Sequence, residues 1–146
     1  MEISISIPTD ASGFIRRECP TCEREFKWFV GETEDRPSDF LEAENYYCPY
    51  CGVPSGTDTW WTQAQLEYAQ AAAMGPLSAQ LEREFRRGLG SGFTFKAGTH
   101  NVPDLLVDPD DMIMVEPPCH PFEPLKIDED WAEPLHCLVC GSRFRV

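Results

Sequence analysis

Seven cysteines stand in a chain of 146 residues, and three pairs share the spacing Cys-x-x-Cys: Cys19 with Cys22, Cys48 with Cys51, and Cys137 with Cys140. Such a turn brings two sulfurs to one point from a single tight bend. Two turns facing each other supply the four thiolates of a tetrahedral metal site. Cys19, Cys22, Cys48 and Cys51, with 25 residues between the pairs, meet that requirement without help from any other residue type. Zinc suits four such donors, and the same sulfurs can hold iron as a variant. The turn after the second cysteine favours a residue tolerant of positive φ, which CPYCG supplies as Gly52. In CPTCE the same place is taken by Glu23, which makes the turn less favourable but removes no ligand.

The third pair, Cys137 and Cys140 followed by Gly141, is another well-formed half-site, and Cys119 offers a further sulfur. A regular second pair would put a cysteine three residues after Cys119, where the chain has Phe122. His120 adjoins Cys119 in a bend stiffened by Pro117, Pro118 and Pro121, and imidazole commonly joins three thiolates on zinc. His136 is the rival, but it adjoins Cys137 in an expected strand, where neighbours point to opposite faces. His100 lies further off in a glycine-flanked loop, and a histidine that is merely exposed, or a site without metal, is the plainer alternative. The reading is a Cys3His site of Cys119, His120, Cys137 and Cys140, so that the chain carries two Zn2+ ions. Glu116 and Glu123 could serve a catalytic zinc as base, yet acids are so common nearby that they discriminate nothing.

The elements that must position these residues are short. Residues 1–58 open with alternating Ile3, Ile5 and Ile7, and two strands flanking CPTC, marked by Phe14 and Ile15 and by Phe26, Trp28 and Val30, make a hairpin. An acidic stretch from Glu32 to Glu44 reads as a solvated loop before Tyr46 and Tyr47 lead into Cys48. Residues 59–90 are expected to be helical. Thr62 and Gln65 form a capping-box pattern, with Trp61 and Leu66 as its hydrophobic staple. Gly75 and Pro76 should end or kink this helix, and Leu77, Leu81 and Phe85 mark a second. Residues 91–146 offer short strands at Phe93 to Lys96, Met112 to Val115 and Leu125 to Ile127 before the last cysteine pair.

With CPTC and CPYCG set between alternating aromatic strands, about 40 residues resemble the zinc-ribbon, or rubredoxin-like, superfamily. The resemblance implies a small metal-dependent α+β fold: two zinc-ribbon β units, 1–58 and 91–146, joined by a helical connector at 59–90. Sites in that superfamily are mostly structural. Its members include transcription factors, ribosomal proteins, enzymes and adaptors, so the likeness fixes a fold more than a function. CPYC is also similar to the dithiol motif of glutaredoxins, whose chemistry needs the first cysteine at a helix N-terminus. Gly52, Pro54 and Gly56 prevent a helix there, and a second pair stands ready to complete a metal site.

Thirteen prolines and ten glycines fit small pieces joined by irregular chain, and pieces of that size need a metal or partner to offset their thin cores. The first 30 residues lack the basic start and apolar run of a secretory signal, and no stretch is apolar enough to span a bilayer. A cytoplasmic, reducing location is expected, in which paired cysteines favour metal over disulfides. The net charge of −13 disfavours nucleic acid and anionic membranes as partners. Arg16, Arg17, Arg24 and Lys27 form a basic patch beside Phe26 and Trp28, diluted by Glu18, Glu23 and Glu25. No GxSxG, HExxH or phosphate-cradling glycine loop is present. The expectation is a non-enzymatic zinc adaptor or regulatory protein acting through a protein partner, with a nucleic-acid-binding ribbon as the alternative.

Overall fold

The computed structural model describes residues 5–40, 42–89 and 106–146. The chain divides into two compact units: Pro8–Thr62 with Val107–Val146, and Met1–Ile7 with Gln63–Leu106. Among the described residues the fold is small α+β, with one helix and antiparallel sheets.

The first unit is built on the CPTC hairpin. Strands β1 (Phe14–Glu18) and β2 (Glu25–Phe29) pair antiparallel with Arg16 opposite Lys27 and Arg17 opposite Phe26. Alternation then sends Ile15, Arg17, Phe26 and Trp28 to one face and Phe14, Arg16, Lys27 and Phe29 to the other. Two further short ribbons carry the other cysteine pairs. One joins β3 (Asn45–Tyr47) to β4 (Pro54–Gly56), and the other joins β7 (Leu135–His136) to β8 (Arg143–Phe144).

Strands β5 (Ile113–Val115) and β6 (Leu125–Ile127) do not form a sheet of their own. They complete a four-stranded sheet in the order β1-β2-β6-β5, with Trp28 opposite Leu125 and Lys27 opposite Lys126. The segments 1–58 and 91–146, read from sequence as two ribbon units, therefore share one sheet. Its inner face contributes Phe26, Leu125, Ile127 and Val115 to a core that also holds Trp60, Tyr50, Leu135 and Leu138. A strand of three residues buries too little by itself, so pairing across the chain gives each short segment the neighbours it lacks.

The opposite face is ionic. Lys27 and Lys126 face each other across the strands, an arrangement that would be repulsive without a counter-ion between them. Asp10 provides it, with Oδ2 lying 3.1 Å from Lys27 Nζ and 2.8 Å from Lys126 Nζ, and its side chain and that of Lys27 are fully buried. Asp108 and Asp110 add a second layer, at 3.1 Å from Lys27 and 2.8 Å from Lys126 respectively. Burial alone would push the Asp10 carboxyl up, but the ammonium of Lys126, the Phe14 N–H, Lys27 and the Ser12 N–H outweigh it and hold it well below the usual carboxylate range.

Helix α1 runs from Gln63 to Leu89 and starts directly after Thr62, where the capping pattern places its beginning. It contains Pro76, so of the two outcomes expected at Gly75 and Pro76, an end or a kink, the end does not occur. Proline lacks only its own N–H and clashes with a single preceding carbonyl, a local loss that the long helical run on either side absorbs. Ile5 and Ile7 are not in a strand; the alternation there is too short to hold one without a paired neighbour. Ile3 and the expected strand at Phe93 to Lys96 lie outside the described residues, as does His100.

Candidate metal centres

Cys19, Cys22, Cys48 and Cys51 converge, with all four sulfurs within 4.8 Å of one another. Cys19 Sγ lies 3.6 Å from Cys51 Sγ, and Cys22 Sγ lies 3.8 Å from Cys48 Sγ. A tetrahedron with Zn–S bonds of about 2.3 Å has sulfur-to-sulfur edges of about 3.8 Å, so the spacing fits such an ion. Each pair stands on the same backbone turn. In the first, the Glu23 N–H donates to the Cys19 carbonyl (2.9 Å) and the Cys19 N–H to the Arg24 carbonyl (3.0 Å). In the second, the Gly52 N–H donates to the Cys48 carbonyl (2.9 Å) and the Cys48 N–H to the Val53 carbonyl (3.2 Å).

These turns also aim backbone donors at the leading sulfur. Thr21 and Cys22 N–H groups lie 3.3 and 3.4 Å from Cys19 Sγ, while those of Tyr50 and Cys51 lie 3.4 and 3.5 Å from Cys48 Sγ. Donors in that position stabilise a thiolate. Burial pushes the Cys48 and Cys22 thiols up, whereas the Cys22 and Thr21 N–H groups overcome burial at Cys19 and bring it below its ordinary value. Four thiols packed this closely cannot all ionise against one another, and a bound dication removes that obstacle.

The second cluster comprises Cys119, His120, Cys137 and Cys140, again with ligand atoms within 4.8 Å of one another. Cys119 Sγ lies 3.5 Å from Cys140 Sγ, and the Cys137 Sγ faces His120 Nδ1 at 3.4 Å. The third turn repeats the first two, with the Gly141 N–H on the Cys137 carbonyl and the Cys137 N–H on the Ser142 carbonyl, both at 2.9 Å. Burial pushes the Cys137 thiol up to about 12. Opposite it, the proline-bounded bend is closed by the His120 N–H on the Pro117 carbonyl (3.1 Å) and the Glu123 N–H on the His120 carbonyl (3.0 Å). That bend presents the sulfur and the imidazole from adjacent residues, which is why no cysteine is needed at Phe122.

Positive φ marks the residue after each pair: 61° at Glu23, 73° at Gly52 and 75° at Gly141. Glu23 thus occupies a glycine-like conformation at a non-glycine residue, among the described residues the one such case.

The structure brings together all eight sequence-selected residues, in the two groups expected from their spacing. His136 is in neither group. Its Nδ1 lies 3.3 Å from the Pro49 carbonyl and its ring rests on Gly52, where an added Cβ would approach Nε2 to 2.8 Å. Sequence reading missed Phe40, whose ring meets Phe122 at 4.9 Å and His120 at 6.3 Å between centroids. Phe40 sits in the acidic stretch taken for a solvated loop; a lone aromatic among acids was the available signal.

The basic patch has a different fate. Lys27 is fully buried, and Arg16 is held by Glu25 at 3.2 Å, Asp108 at 3.1 Å and Asp111 at 2.6 Å. Arg17 lies between the rings of Trp28 and Trp61, 4.5 and 4.6 Å from their centroids, and Arg24 stacks on Trp131 at 4.9 Å. No helix among the described residues is long and apolar enough to cross a membrane. No protein-family model, curated protein or solved structure matches the chain.

Proposed function

We propose that this chain is a zinc-binding, non-enzymatic adaptor or regulatory protein of zinc-ribbon type, with one Zn2+ in each cluster and a protein as its partner. The observation that carries the reading is the pair of four-ligand clusters, each complete from the protein alone. A structural zinc is closed by four protein donors, whereas a catalytic zinc keeps one position for water. The donor sets, three or four thiolates with at most one imidazole, suit zinc and fit its size. Support for an interacting surface comes from α1, where Leu66, Met74, Leu77 and Leu81 are each more than two-fifths exposed.

The nucleic-acid alternative needs free positive charge. Lys27 and Arg16 are occupied by carboxylates, and the net charge of −13 adds long-range repulsion, so the protein-partner reading is preferred. Native mass spectrometry with elemental analysis of the reduced, full-length chain tests the metal: two zinc ions are expected. A folded chain that carries no metal overturns the proposal. Retention on single-stranded oligonucleotides that weakens with salt would favour the alternative, and a stoichiometric protein partner the adaptor.

A further inference from the structure

The cysteine turns at 48–52 and 137–141 touch each other through matched groups. Tyr47, which precedes Cys48, donates its N–H to the carbonyl of Leu138, which follows Cys137, at 2.9 Å. His136, which precedes Cys137, donates its N–H to the carbonyl of Pro49, which follows Cys48, also at 2.9 Å. The side chains repeat the exchange. The Tyr47 ring covers Gly141 so closely that an added Cβ would come within 2.7 Å of it, and the His136 ring covers Gly52 to within 2.8 Å. Each turn thus gives the other one hydrogen bond and one ring, a reciprocal exchange. The contact is buried at its centre, since Leu138 is 1% exposed and Cys48 and Cys137 are fully buried.

Resting on the metal-binding reading above, we propose that Tyr47 and His136 are positioning residues through which the two centres bind metal cooperatively. Neither is a ligand. Each stands on the turn of one centre and bears on the glycine that ends the turn of the other. Metal at Cys48 and Cys51 fixes the Pro49 carbonyl and the Gly52 surface, which are the acceptor and the seat for His136. The turn at 137–141 is then ordered before its own ion arrives, and that ion no longer meets the whole entropic cost of ordering it. Linkage requires the same gain in the opposite direction.

The test is Co2+ titration of the reduced full chain, in which four-thiolate and three-thiolate-imidazole sites are separable by their absorption bands. The double variant C119S/C140S removes two exposed ligands of the second centre and leaves the contact residues in place. Affinity of the first centre is expected to fall roughly tenfold. In a Tyr47→Ala background the same loss should change it by less than about twofold, and Tyr47→Phe should restore the coupling. Cobalt bound at the first centre with unchanged affinity in C119S/C140S overturns the coupling and leaves the metal reading intact. No cobalt at either centre of the unaltered chain overturns both. Should the double variant not fold, Tyr47→Ala alone decides, because it keeps every ligand: weakening at both centres supports the coupling, and weakening at one or neither overturns it.

Discussion

Cys19 and Cys48 lie fully buried in the same apolar cluster as Phe26, Leu125 and Trp60, whereas Cys119 and Cys140 of the second centre are exposed beside a proline-bounded bend. The two centres use the same turn and nearly the same donors, yet they differ in depth: at the second only Cys137 is fully buried. At the first, the sulfurs are part of the hydrophobic interior, and an ion there would organise the core that the four-stranded sheet packs against. At the second, an ion would fasten a rim, tying the bend at 117–123 to the ribbon β7–β8. Ligand chemistry alone therefore does not set what a metal contributes; the packing around it does.

The largest effect expected from this contrast is in single-ligand variants. Cys48→Ser removes a sulfur that is both ligand and core, and should cost more than about 5 kcal/mol, enough to unfold the unit. Cys140→Ser, at an exposed position, should cost on the order of 2 kcal/mol and leave a cooperative transition. Urea unfolding followed by tryptophan fluorescence measures both, and equal losses would erase the distinction.

A smaller effect separates the clusters from the sheet that serves them both. Asp10→Asn leaves Lys27 and Lys126 opposed without their shared anion and should cost about 3 kcal/mol, without changing which centre releases metal first to a chelator. The Asp10 carboxyl is held low in the fold. Its contribution is therefore present in full above the unfolded value of about 3.9 and is lost as pH falls through the folded value. Stability of the native chain minus that of the variant should stay constant from about pH 7 to pH 5 and shrink below about pH 4. A difference that grows as the solution is acidified would contradict this assignment.

The smallest effect lies within the first centre. Glu23 holds φ at 61° where its two counterparts are glycine, so Glu23→Gly should relieve backbone strain and raise stability by about 0.5 kcal/mol after the cost of a more flexible unfolded chain. The thermal midpoint should rise slightly with metal content unchanged. A fall would show that the Glu23 side chain contributes more than its backbone costs.

Much of the site was legible because its signals are local. Cys-x-x-Cys spacing reports a turn of fixed shape, and the prolines around Cys119 and His120 report a bend that offers adjacent donors. The hairpin at β1 and β2, the short strands before Val115 and Ile127, and the helix start after Thr62 were equally local. The shared four-stranded sheet was not, because pairing of Trp28 with Leu125 leaves no periodic trace in a strand as short as the three residues of β6. Lys27 looked like surface for the same reason: nothing near it in sequence shows Asp10 and Asp108 closing over it. The exchange between Tyr47 and His136 also depends on turns far apart in the chain, and a histidine beside a cysteine suggests ligation before it suggests packing.

Asp10 and Lys126 stand 116 residues apart along the chain. A growing polypeptide lengthens by about 5–20 residues each second, so roughly 6 to 23 s pass between the emergence of one and the arrival of the other. For most of that interval β2 has β1 on one side and no strand on the other, and Trp28 waits without its partner Leu125. All four cysteines of the first centre are already out by then, since the last is Cys51. An ion bound by those four sulfurs would tie the early hairpin to the β3–β4 ribbon before β6 exists.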